Sequence, residues 1–156
     1  MGAGATTCRK TPPICNWVKS MSTITVVEAV DTMMQAFASA WGNTGPIAYE
    51  NKAFTIPEDS VWCRAVVRHA ASRQTTLTDE SGYKRFGVYG AFIVQMFFPL
   101  GNGTESAYNV SETLANALRK HKSQVTFQNV TWEEVGPDGK FFMFKLTAQF
   151  EYTQVR

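Results

Sequence analysis

The sequence has few cysteines, almost no net charge and no long apolar run. Its three cysteines, Cys8, Cys15 and Cys63, include no Cys-x-x-Cys pair, which argues against a disulfide framework or a zinc ribbon. Its 15 Lys and Arg against 13 Asp and Glu leave a net charge of +2, too small for the positive field of a nonspecific nucleic-acid binder. We find neither a signal-peptide pattern nor a stretch near the roughly 20 apolar residues that span a bilayer. These absences predict a soluble, cytoplasmic protein of a reducing compartment, with no membrane partner.

The sequence also lacks the short motifs of common catalytic sites. It contains no Gly-x-Ser-x-Gly, no His-Glu-x-x-His, no phosphate-binding loop and no carboxylates at metal-ligand spacing. Cys63 and His69 would lie roughly 20 Å apart along one strand, at about 3.3 Å per residue, which is too far for a nucleophile and its base. We therefore predict that the protein is not an enzyme and has no catalytic residue, cofactor or metal.

The composition predicts one folded domain. With 44% hydrophobic and 13% aromatic residues, a chain of 156 residues can bury an ordinary core. Residues 1–21 differ, because they contain a Pro-Pro pair and three cations but no acid and no helical or strand period. We predict that they form an arm outside a single domain of residues 22–156. The arm could be a mobile tail, a start placed ahead of a true beginning at Met21, or a segment that orders against a neighbouring subunit.

Two helices are predicted. Thr25 and Glu28 have the spacing of a capping box, and apolar residues recur at helical spacing until Gly42, which indicates a helix over residues 25–41. A second amphipathic segment spans residues 104–120. The basic residues that end it favour a helix C-terminus, where cations interact well with the helix dipole.

Five strands are predicted, at residues 47–54, 61–71, 86–98, 125–135 and 140–154. Residues 86–98 are apolar on both faces, so this strand should be central and covered on both sides. Residues 136–139 form a turn that makes the last two strands a hairpin. The elements predict an α+β fold: a mixed or antiparallel sheet of about five strands with two helices on one face, in the order α-β-β-β-α-β-β.

Two segments have no explanation within a monomer core. In the second strand Cys63, Ala65 and Val67 share one face, which His69 continues, while Arg64 and Arg68 make the other face too cationic for a core. Residues 72–83 form a long polar connection, and such a loop is either disordered or used for contact.

Several segments form a recognisable pattern by their order and spacing: the first helix up to Trp41, residues 46–54, 62–67, 73–77 and 85–103, and the C-terminal hairpin. With this pattern, residues 22–154 resemble the small tail terminator proteins of long-tailed bacteriophages and prophages. Residues 85–103, which run from a strand through Pro99 and Gly101 to the second helix, are the most telling.

The resemblance implies a homohexameric ring in the virion, at the head-proximal end of the tail. This ring would be assembled in the host cytoplasm. It would sit on the last ring of tail tube protein, stop tube polymerisation and present its other side to head-completion (neck) proteins. Double-stranded DNA would pass through the lumen without tight binding, since the net charge is small.

A ring needs contact residues, and the unexplained strand faces and the polar loop supply candidates. The candidates for subunit or tube contacts are Arg64, Arg68, Arg73, Leu77, Asp79, Glu80, Tyr83, Lys145, Gln149 and Glu151. We expect Arg64 and Arg68 to pair across subunits with Asp79, Glu80 or Glu151. We expect the loop to be mobile in the free subunit and to order on assembly, with Leu77 and Tyr83 as anchors. For any single residue, an ordinary solvated sheet is the competing interpretation.

Two other interpretations remain open. The chain could be another ring protein of the same particle, either a head-completion protein or a tail tube subunit, although tube subunits usually have one helix beside a β-sandwich. It could also be a small ligand-binding α+β domain, because pockets need not leave motifs.

Overall fold

The structure, a computed structural model, describes residues 23–77 and 82–156. These residues form α1 (Val26–Trp41), β1 (Ile47–Tyr49), β2 (Trp62–Gln74), β3 (Arg85–Pro99), α2 (Glu105–Lys120), β4 (Thr126–Asp138) and β5 (Phe141–Val155). The strands make one sheet in the order β1-β2-β3-β5-β4, with β1 parallel to β2 and the other neighbours antiparallel. The predicted α+β class and element order are confirmed. The predicted arm, residues 1–21, lies outside the described residues.

The first helix begins with the predicted capping box. Thr25 Oγ1 accepts a hydrogen bond from the Glu28 backbone N–H at 3.2 Å, and Glu28 Oε2 accepts one from the Thr25 N–H at 2.8 Å. The hydrogen bond from the Thr25 backbone lowers the pKa of Glu28. At the other end, Trp41 Nε1 donates to the Gly45 carbonyl at 2.7 Å, which fixes the turn toward β1.

One hydrophobic core attaches both helices to the same face of the sheet. From α1 it takes Ala29, Met33, Phe37 and Trp41, and from α2 Ala107, Leu114, Ala115 and Leu118. From β3 and β5 it takes Val88, Phe92, Val94, Met96, Phe98, Phe144, Leu146, Ala148, Phe150 and Tyr152. Phe37 of α1 meets Phe92 edge-on at 5.7 Å between ring centroids. The prediction of two helices on one face is confirmed.

The first strand is much shorter than predicted. It spans Ile47–Tyr49 and not residues 47–54. Asn51 adopts a φ of 56°, a left-handed conformation that a strand cannot continue. The following residues up to 61 contain no helix or strand, and they bring the Phe54 ring to 5.4 Å from the Trp62 ring. The other predicted boundaries lie within three residues of the observed ones.

The second strand is longer than predicted, so the prediction of a loop over residues 72–83 is wrong for its first part. β2 continues to Gln74, with Ser72 opposite Val88 and Gln74 opposite Phe86 on β3. The Thr75 N–H then donates to the Arg85 carbonyl at 2.8 Å. Polar side chains did not prevent a strand here, because its backbone groups pair with β3. The register shifts between His69 and Ala71, which makes Ala70 a β-bulge.

The central position of β3 is confirmed, but its coverage on both sides is not. The face of β3 opposite the helices carries Tyr89, Ala91, Ile93 and Gln95, all partly exposed. On that side, residues 50–61 cover only the end of the sheet, where Phe54 packs on a small cluster of Ala48, Trp62, Phe97 and Phe141. Residues 23–77 and 82–156 therefore leave most of this second face uncovered.

Candidate assembly interface

The sheet face opposite the helices, here called the open face, is the candidate site. Register places one set of side chains on it, consisting of Arg64, Val66, Arg68, Tyr89, Ala91, Ile93, Gln95, Lys145, Thr147, Gln149 and Glu151. Five of the residues predicted as contacts, Arg64, Arg68, Lys145, Gln149 and Glu151, thus share one surface. The sequence predicted the alternation in each strand, and the strand pairing joins them. Their contact role stays a prediction.

The polar residues of the open face form rows across the strands. Arg64 lies opposite Gln95, Gln95 opposite Lys145, and Lys145 opposite Glu133 of β4. Lys145 Nζ lies 3.4 Å from Glu133 Oε1, and both groups are substantially exposed. Next to this row, the middle of the face is less polar, with Val66 opposite Ile93. The open face therefore combines an apolar centre with polar residues around it.

Arg68 forms an ion pair that the sequence analysis did not predict. Its Nη1 donates to Glu50 Oε1 at 2.6 Å and to Glu50 Oε2 at 2.8 Å, and both side chains are about half exposed. Of the predicted partners, Asp79 and Glu80 lie outside the described residues, and Glu151 accepts a hydrogen bond from Gln128 at 3.1 Å. Glu50 directly follows β1, and the parallel pairing of β1 with β2 brings it close to Arg68, which the sequence alone does not show.

Arg64 and Gln149 have different surroundings. The Arg64 guanidinium lies 6.0 Å from the centre of the Trp62 ring, within the range of a cation–π contact. No ion pair involves Arg64 within residues 23–77 and 82–156. Gln149 accepts a hydrogen bond from Asn129 at 2.8 Å, and Asn129 sits in a β4 bulge with a φ of 47°. This bulge could not be predicted from the alternation of the sequence.

Three of the predicted contacts, Arg73, Leu77 and Tyr83, lie at or near the ends of β2 and β3 that the connection joins. Because of the bulge at Ala70, Arg73 pairs with Gly87 on the open-face side, although simple alternation after Arg68 would turn it to the helices. Leu77 is 89% exposed and Tyr83 is 58% exposed. An apolar side chain as exposed as that of Leu77 is typical of a contact with another protein.

A hollow of about 570 Å³ lies on the open face beside β1. Its lining includes Tyr49, Glu50, Lys52, Arg64, Arg68 and Ile93. The residues bring together acid, base and apolar surface, without a nucleophile beside a general base. These side chains are better suited to contact with another protein surface than to catalysis.

Cys63 and His69 do not form a reactive pair. Burial raises the pKa of the Cys63 thiol to about 12, so the thiol is protonated at neutral pH and is not a nucleophile. His69 Nε2 lies 3.0 Å from the Tyr152 hydroxyl on the helix side of the sheet. In the described part of the chain, no cluster of His, Cys, Asp and Glu has the arrangement of a metal site. Neither of its helices combines the length and apolar character that a bilayer crossing requires.

The small aromatic cluster closes one end of the open face. Trp62 stacks on Phe97 at 4.1 Å between centroids and meets Phe141 edge-on at 6.0 Å. The Trp62 Nε1 hydrogen is buried without an acceptor in the described residues. An unpaired buried donor costs about 1–3 kcal/mol, which the stacking of these rings must offset.

Comparisons with known proteins give one family and one fold. Residues 25–132 of the 156 match the family model described as phage tail terminator protein. A solved structure whose title names no function matches with a TM-score of 0.52 and 20% identity, covering 78% of this chain and 94% of that chain. At this identity the likeness shows the fold alone. No curated protein matches. Since the family model spans both helices and the strands from β1 into β4, the chain belongs to the phage tail terminator family of structural phage tail proteins.

Proposed function

We propose that the protein assembles into a ring, most simply a hexamer, that caps the tail tube at its head-proximal end. The ring stops tube polymerisation and offers its other side to head-completion (neck) proteins. The observation that carries this proposal is the family match over residues 25–132. The uncovered open face supports it, because a large partly apolar face is a typical site of contact with another protein.

Electron microscopy and mass measurement test the ring. The protein is examined alone and together with the tail tube protein of the same phage, since some ring proteins assemble only on their template. We expect closed rings, or single rings at one end of each tube, and tubes that stop growing once capped. A stable monomer that also fails to bind tubes contradicts the proposal. Long tubes of this protein alone would identify a tube subunit instead.

We further propose that the ring lets DNA pass without gripping it. The net charge is only +2, and Arg68 already forms an ion pair with Glu50. Counterion release therefore contributes little favourable free energy to DNA binding. The test measures affinity of the assembled ring for double-stranded DNA at low and at physiological salt, with Arg64→Ala and Arg68→Ala as variants. Weak binding in all three proteins is expected. Sub-micromolar, salt-sensitive binding that both variants lose, with rings intact, would overturn this.

The connection between β2 and β3 is proposed to contact a neighbouring subunit or the tube. Leu77 is the exposed apolar residue that carries this assignment, and Tyr83, two residues before β3, is the second predicted anchor. Hydrogen exchange of the Thr76 and Leu77 amides should slow on assembly. Equal protection in free and assembled protein contradicts the contact.

A further inference from the structure

The sheet ends in β1 on one side and in β4 on the other. Because β1 is only three residues long, residues 66–74 of β2, here called the β2 edge, extend past it. β1 pairs only with Cys63, Arg64 and Ala65. In the described residues, no strand lies beside residues 66–74 of β2 on that side, and none lies beside the outer side of β4. Free edges are ready to pair with another chain, so each one needs either protection or a partner.

The two edge strands carry opposite charges. β2 contains three arginines and no acid, and these are Arg64, Arg68 and Arg73. β4 contains three acids and no lysine or arginine, and these are Glu133, Glu134 and Asp138. Among the described residues, these charges form ion pairs between Arg68 and Glu50 and between Glu133 and Lys145, and Glu134 accepts a hydrogen bond from the Tyr108 hydroxyl, so neutralisation by these residues is partial.

We propose that the β2 edge of one copy of this chain meets the β4 edge of the next copy, head to tail. The inference rests on the proposed ring and identifies its subunit interface. Contact between two β2 edges would set arginines against arginines, and contact between two β4 edges would set acids against acids, both unfavourable. Only the unlike edges attract. A head-to-tail contact repeated by rotation closes into a ring.

The backbone limits where the two edges can pair. Register shifts interrupt β4 after Gln128 and after Glu134. Within the first of these bulges, the Val130 carbonyl accepts a hydrogen bond from Arg119 at 2.9 Å, so this carbonyl already has a partner in the protomer. The regular stretch of β4 is therefore residues 131–134, four residues that can extend a neighbour's sheet by strand addition.

The faces of the two edges also match. Glu133 lies on the open-face side of β4, since it pairs with Lys145. Arg68 and Arg73 lie on the open-face side of β2 beyond its cover by β1. If the sheets continue from copy to copy with their open faces aligned, Glu133 lies beside one of these arginines. Cross-strand pairs of opposite charge stabilise a sheet and select its partner.

Charge reversal of one edge at a time tests the interface. One variant carries Arg68→Glu with Arg73→Glu, and the other carries Glu133→Lys with Glu134→Lys. The matched control, Lys120→Glu with Lys122→Glu, makes the same change in charge as the first variant at exposed residues outside both edge strands. Circular dichroism and thermal unfolding show that each variant is folded. Assembly is then followed by mass measurement, with and without tail tubes.

We expect each reversed variant alone to need a more than about tenfold higher concentration for assembly, because like charges then face each other across every interface. The control should assemble as the wild type does. An equimolar mixture of the two reversed variants should assemble again into rings of alternating subunits, since every interface then joins opposite charges. Misfolding cannot produce this rescue.

Failure of the interface and failure of the ring give different results. Reversed variants that assemble like the wild type overturn the interface and leave the ring standing. Folded variants that fail alone and also fail when mixed overturn the interface as well. A wild-type protein that stays monomeric both with and without tubes overturns both proposals.

Discussion

The two faces of the sheet are built from the same strands, yet they have different surroundings. On the helix side, Phe92, Val94 and Met96 of β3 are fully buried under α1 and α2. On the open side, Ile93 and Gln95 of the same strand are only partly covered. Neighbouring residues along one strand thus contribute to different properties. The helix side stabilises the protomer, and the open side is available for assembly.

Substitution of two adjacent residues of β3, one on each face, should give the largest difference in the free energy of unfolding. Phe92→Ala should lower the free energy of unfolding by about 3–5 kcal/mol, because it removes a fully buried ring. Ile93→Ala should lower it by only about 1–2 kcal/mol, because this side chain is partly exposed in the protomer. Urea unfolding of the free protein measures both. Equal losses would contradict the difference between the faces.

A buried hydroxyl in α2 gives an effect of opposite sign. Ser111 is 0% exposed, and its Oγ has no hydrogen-bond partner among the described residues. Ser111→Ala should raise the free energy of unfolding by about 1–2 kcal/mol, because it removes an unpaired polar group. Ser39→Ala, at an exposed position of α1, is the control. It should raise the free energy of unfolding by only about 0.5 kcal/mol, because alanine has a higher helix propensity than serine. A destabilised Ser111→Ala would show that the hydroxyl does find a partner.

The capping box that starts the helical layer has a smaller effect, which depends on pH. Thr25→Ala should cost about 1 kcal/mol at neutral pH. The pKa of Glu28 is lowered from its ordinary 4.5, so its contribution is complete above that value and is lost as the pH falls through the lower folded value. The stability difference between wild type and Glu28→Gln should therefore shrink below pH 4.5. A difference that grows on acidification would contradict the capping role.

The smallest effect is expected from the ion pair on the open face. Arg68→Ala should change the free energy of unfolding by less than about 0.5 kcal/mol, because both Arg68 and Glu50 are about half exposed. The change should vanish in high salt. Thermal unfolding at two salt concentrations measures it. A large, salt-independent loss would mean that the open face stabilises the protomer as the helix side does.

The sequence predicts the helix side of this fold well and the open side less well. The capping box at Thr25 and the apolar stripe ending at Trp41 are local patterns, and the structure has α1 where they place it. The alternation of β5 likewise predicts which residues face the core. Such features depend on residues that are close together in the chain, so they can be predicted from the sequence.

The features that sequence patterns missed depend on pairing between distant strands. The two-sided apolar character of β3 predicted coverage on both faces, but the part of the chain that the structure describes leaves one face for the most part uncovered. The Arg68–Glu50 pair requires the parallel pairing of β1 with β2. The opposite charges of β2 and β4 are visible in the sequence, but only the strand order shows that β4 lies at one edge of the sheet and that β2 extends past the short β1 at the other.

The bulge at Ala70 has a consequence for how chain length can vary in evolution. His69 pairs with Gly90 and Ala71 pairs with the next residue of β3, Tyr89, so Ala70 has no counterpart. If Ala70 were deleted, the residues on both sides of it would keep their partners on β3 and their faces of the sheet. If another residue of β2 were deleted and the bulge kept, every side chain on one side of the deletion would move to the opposite face of the sheet. Related chains that differ by one residue within β2 should therefore align with their gap at position 70, and their arginines should keep to one side of the sheet.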